Sequence, residues 1–104
     1  MEVYNVLVTP SADKDLDEIF SYVSEELLVP NTALKLIDTL YEALYSLSDM
    51  PKRNPLSRDT FLAKQGFHVL YVESYLVFYT VDEPEKQVVV HRVLYAKRNY
   101  KALF

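Results

Sequence analysis

The sequence predicts an α+β fold in the order β-α-α-β-β-β, a helical hairpin packed on a mainly antiparallel sheet. Three observations carry that prediction. Apolar residues recur at helical spacing between residues 10 and 50 and then at a period of two in the last third of the chain. Pro10, Pro30 and Pro51 stand where helices begin or end. The chain has 104 residues, half of them apolar and a quarter charged, enough for one core and therefore one domain, 1–104.

Each element has its own reason. Val3–Val8 is β-branched and aromatic with partial alternation, which reads as a strand. Thr9-Pro10 reads as an N-cap followed by a first helical residue whose missing N–H costs nothing there. Asp13, Asp15, Asp17 and Glu18 place negative charge in the early turns, where the helix dipole favours it. Ala12, Leu16, Ile19, Phe20, Val23 and Leu27 then form one apolar stripe. Pro30 is expected to stop this helix and Asn31 to cap the next, whose stripe is Leu34, Ile37, Leu40, Tyr41, Leu44 and Leu47. A short joint makes the two helices an antiparallel hairpin. Residues 50–60 form a loop holding Pro51 and Pro55, and Thr60–Lys64 is expected to be a further short strand. Phe67–Val72, Leu76–Val81 and Val88–Tyr95 are strands joined by the polar turns Glu73-Ser74 and Asp82–Lys86. Arg98–Phe104 is a tail able to form one helical turn. So short a chain leaves nothing to cover the second sheet face, which is expected to be partly open.

Composition excludes several classes. No apolar run approaches the roughly 20 residues that span a bilayer, and residues 1–5 lack the basic and apolar regions of a signal peptide. With no cysteine there is no disulfide and no thiol nucleophile. The lone Gly66 rules out a Gly-rich phosphate loop, and His68 and His91, far apart, make no metal site. A cytoplasmic domain without metal or other cofactor is expected, with no membrane partner.

The net charge of −4 hides an asymmetry: residues 1–50 sum to −8 and residues 51–104 to +4. Acidic helices on one side and a basic sheet edge on the other are expected to meet different partners, the basic side an anionic one. The candidate residues for phosphate or target binding are Lys52, Arg53 and Arg58 on the proline-bounded loop, Arg92 in the last strand, and Lys97, Arg98, Tyr100 and Lys101 at its end. Arginine pairs bidentately with phosphate or carboxylate, and Tyr100, between cations, is placed to stack on a base. At most one of His91 and Arg92 reaches a given site, because neighbouring strand residues face opposite ways. His68 fits either a general base titrating near neutrality or a partly buried structural histidine.

Tyr4-Asn5-Val6, Thr9-Pro10-Ser11-Ala12 and Asp15-Leu16-Asp17-Glu18-Ile19 resemble the opening of the RelE/ParE superfamily of bacterial toxins. Val77-Phe78-Tyr79-Thr80-Val81-Asp82 and Val93-Leu94-Tyr95-Ala96-Lys97-Arg98 resemble its sheet and C-terminus. The resemblance spans the chain. It implies the same element order and the toxin half of a type II toxin–antitoxin system, active in growth inhibition and plasmid stabilisation and neutralised by a cognate antitoxin. RelE-like members cut messenger RNA on the ribosome. Under that reading His68 and Arg98 are the catalytic residues of an endoribonuclease, an mRNA interferase. The central-strand arginine and terminal tyrosine of those members fall on Leu76 and Phe104. ParE-like members lack these groups and act on DNA gyrase by protein contact, the reading the resemblance favours. An inert member kept as its antitoxin's partner is the third.

Overall fold

The computed structural model describes residues 3–98 and 100–104, with the side chains of 101 and 102 left out. Its first strand, β1 (Asn5–Val8), leads directly into α1 (Pro10–Ser21). Thr9 makes the junction. Its hydroxyl caps the helix by accepting from the Ala12 N–H at 3.2 Å and donates to the Val90 carbonyl at 2.9 Å. The helix then widens into one π turn, Tyr22–Glu26, and ends at Leu27. Leu28 follows with φ of 57°, the left-handed region that normally takes glycine at a helix end.

The second helix, α2 (Pro30–Tyr45), begins two residues earlier than expected. Pro30 is its first residue rather than the stop of the preceding helix, and Val29, not Asn31, occupies the N-cap. The two stripes are shifted as well. Ala33, Leu40 and Leu44 are buried, whereas Leu27 and Leu34 face outward.

After α2 the chain makes two single 3-10 turns, Ser46–Ser48 and Pro51–Arg53. Thr60–Lys64 is a short helix, α3, and not a strand. Asp59 caps it by accepting from the Leu62 N–H at 3.1 Å. Strands β2 (His68–Val72), β3 (Tyr75–Asp82) and β4 (Gln87–Tyr95) complete the sheet. The sheet order is β1-β4-β3-β2, parallel between β1 and β4 and antiparallel elsewhere.

Alternation splits the sheet into two cores. Val77 and Tyr79 of β3 face the helices, meeting Ala12, Leu16, Leu40, Leu44 and Leu47. Leu76 and Phe78 face the other way with Phe67, Val69 and Leu94. That second face is not left open. Leu62 of α3 and the tail residues Tyr100 and Leu103 pack on it, and the Phe104 ring lies 5.2 Å from Phe67 and 5.0 Å from Phe78. A bulge at the centre of β4 sets one further feature. Phe78 pairs with Arg92 and Tyr79 with Val90, so His91 is an extra residue. The bulge lets Val90 and Val93, three apart, both reach the helix-facing core.

Candidate functional site

The helical hairpin and the far end of the sheet do not close on one another. Between them lies a groove of about 780 Å³. Ile19, Tyr22 and Val23 form one wall, Thr32, Lys35 and Leu36 of α2 another, and Tyr75, Leu94 and Tyr95 the sheet side. Arg98 stands at this groove as well. The turn after β4 puts it there: the Arg98 N–H donates to the Tyr95 carbonyl at 3.0 Å and the Ala96 N–H to the Ser74 carbonyl at 2.9 Å. Arg98 and Lys97 are exposed and have no ion pair among the described residues. A cation beside an apolar groove suits a partner carrying both apolar and anionic groups.

The groove's inner edge is set by the bulge in β4. Arg92 sends Nε and its second guanidinium nitrogen to the two Asp15 oxygens, both at 2.8 Å, and the Val93 N–H donates to the same carboxylate at 3.0 Å. Asp15 is 5 % exposed. Hydrogen bonding to Asp15 pushes the Arg92 guanidinium further up from its ordinary pKa. Arg92 is thus a strut between helix and sheet, and its bidentate capacity is occupied within the fold.

The loop cations sit at the opposite end. Lys52 pairs with Glu83 at 3.0 Å, as Lys86 does at 3.1 Å, and the Tyr4 hydroxyl donates to the same carboxylate at 2.9 Å. Together Lys52, Tyr4 and Lys86 hold the Glu83 carboxyl down to about 2. Arg53 folds back to donate to the Asp49 carbonyl at 2.6 Å and to the Ser46 hydroxyl at 2.9 Å, a cation closing a helix C-terminus. Arg58 is exposed beside α3. The expected separation of an acidic layer from a basic one is therefore partial, because Lys52, Lys86 and Arg92 are matched to carboxylates across the fold.

His68 belongs to this second end. Its Nδ1 lies 2.8 Å from the Asn54 carbonyl, and its ring stacks on Tyr79 at 5.3 Å. Tyr79 is fully buried, and its hydroxyl donates to the Pro51 carbonyl at 2.6 Å and accepts from Asn54 Nδ2 at 3.1 Å. Burial pushes the Tyr79 pKa up. His68 pairs with Tyr79, whereas Arg98 lies beyond the opposite strand ends, where Val72, Tyr75 and Tyr95 are level. Four strand residues at about 3.3 Å each put some 13 Å between those two levels. The structure does not bring His68 and Arg98 together.

Tyr100 spends its ring on Phe78, 5.1 Å away, and is part of the second core. The Lys101 side chain lies outside the described residues. Leu76 and Phe104, where RelE-like members carry an arginine and a tyrosine, pack apolar surface on the same face. Among the described residues no group of three or more His, Asp or Glu stands together to hold a metal, and no helix is long and apolar enough to cross a membrane. A groove between the helices and the sheet is one of the two places expected from the sequence for the antitoxin, the other being a sheet edge, but its lining residues are not legible there. Its lining needs α1, α2 and the β2–β3 turn together.

The family described as ParE toxin of type II toxin–antitoxin system, parDE, matches residues 6–100. No curated protein matches at the sequence level. Among solved structures, a chain of the chromosomal ParDE system from P. aeruginosa superposes with a TM-score of 0.75 at 20% identity, covering 91% of this chain and 98% of that one. A chain of the toxin–antitoxin complex RelBE2 from Mycobacterium tuberculosis gives 0.66 at 25% identity, covering 93% and 97%.

Proposed function

Since the chain belongs to the ParE toxin family of type II toxin–antitoxin systems, we propose that it arrests growth by binding DNA gyrase through its surface and does no chemistry of its own. One observation carries this reading. His68 and Arg98 sit at opposite ends of the sheet, and Leu76 and Phe104 are packed into apolar surface. Cleavage of RNA needs a base, a phosphate clamp and an acid within reach of one phosphodiester. His68 and Arg98 do not form such a set.

The cognate antitoxin is a cytoplasmic partner whose acidic, partly apolar segment fills the groove beside Arg98 and Lys97, and the two form a hetero-oligomer. An apolar wall with a cation at its rim is the complement of such a segment. Two assays on the purified chain test the reading. Gyrase supercoiling falls while message stays intact in a cell-free translation mixture read by primer extension. Codon-dependent cuts in ribosome-bound message, with supercoiling untouched, establish a ribosome-dependent endoribonuclease instead.

A further inference from the structure

The tip of the helical hairpin exposes a run of apolar residues. Leu27, Leu28 and Val29 are consecutive and exposed, Leu28 at 78 %, and Tyr22 and Leu34 flank them with more than half their surface open. Leu28, Val29 and Leu34 lie outside the groove, and only Tyr22 and Leu27 are shared with it. Nothing in the fold needs a leucine at position 28. Its φ of 57° is the conformation glycine or asparagine adopts at a helix end, and its side chain points to solvent. Exposed Glu25 and Glu26 border the patch, and Lys35 is the nearest cation along α2. Contiguous apolar surface with a charged rim marks a protein contact.

We infer that this tip is the surface by which the toxin docks on its target, a folded protein presenting an apolar depression bordered by lysine or arginine. The charge argument selects that occupant. The antitoxin reading places an anionic segment on Arg98 and Lys97, whereas the tip carries Glu25 and Glu26 and calls for a basic rim. The acid-bordered tip is thus opposite in sign to Arg98 and Lys97, the cations offered to the antitoxin, while Glu18 and Glu73 line other parts of the groove. The inference rests on the toxin reading.

Leu28→Asn keeps the left-handed conformation and removes the apolar group, and Leu34→Gln removes a second one. The pair Glu25→Lys and Glu26→Lys reverses the rim. All three variants are expected to weaken growth inhibition on induction at least tenfold. Their affinity for the cognate antitoxin, measured by titration calorimetry, stays within about threefold of the parent. Undiminished growth inhibition overturns the inference. Antitoxin affinity lost in step with toxicity also overturns it, because the tip then seats the antitoxin. A parent dimer in solution that Leu28→Asn dissolves assigns the tip to a second copy instead. A parent chain that fails to arrest growth overturns the toxin reading and this inference with it, whereas a toxic parent with toxic variants overturns the tip alone.

Discussion

Asp15 shows what one residue decides. It is a helical acid that reads from sequence as one more favourable charge near a helix start. In the fold it accepts three hydrogen bonds from β4 and is nearly buried. Asp15→Ala leaves Arg92 unpaired at the interface and is expected to cost about 3–5 kcal/mol in urea unfolding. Leu28→Gly works in the other direction. A non-glycine residue in the left-handed region is strained by about 1–2 kcal/mol, so a gain of about 1 kcal/mol in the same assay is expected. His91 gives a pH dependence. Its Nε2 lies 2.9 Å from the Thr80 hydroxyl and its ring meets Phe67 edge-on at 4.9 Å. Burial lowers its pKa below the ordinary 6.5. As pH falls through 6.5 the unfolded chain takes up a proton that the folded chain refuses. Its contribution to stability is therefore complete above 6.5 and is lost as pH falls toward the lowered folded value. His91→Gln should flatten that part of the stability–pH curve.

Among the elements, those long enough to repeat a period were legible in the sequence. The two long helices and β2, β3 and β4 each carry several apolar positions in register; the three strands stand within one residue of expectation, while regular α-helix ends several residues before the expected stops at Pro30 and Pro51. Thr60–Lys64 was misread because five residues cannot establish a period, and Thr60 and Phe61 favour strands. Asp59 was the overlooked signal, a cap immediately before the helix. Asp59→Ala is expected to cost about 1 kcal/mol and to raise hydrogen exchange over residues 60–64 first. The β3–β4 turn reads from sequence as a bare hairpin tip, yet Glu83 ties it to Tyr4, just before β1, and to Lys52. With its folded carboxyl near 2 against an ordinary 4.5, this tie is intact above 4.5 and is lost as pH falls through 2. Glu83→Gln should remove that acid-range component from the unfolding curve. The site was less legible than the fold. Arg98, Arg92, Lys52 and Arg53 look equally free in the sequence, and tertiary packing supplies Asp15 and Glu83 as partners for Arg92 and Lys52 while the turn after α2 supplies the Asp49 carbonyl for Arg53.

For the whole molecule, binding follows from the charges left over once internal pairs are made. Arg98→Ala is expected to weaken antitoxin binding about tenfold and to reduce its salt dependence, since an exposed cation acts through a screened field. Calorimetry at two ionic strengths checks both. The parallel pairing of β1 with β4 carries a consequence for biosynthesis. Thr9 and the Val90 to which it bonds are 81 residues apart. At about 5–20 residues per second, roughly 4–16 s of translation separate the emergence of the first strand from that of its neighbour. A nascent copy is inert for that interval, and an antidote already in the cell has the same interval to be waiting when the poison is born.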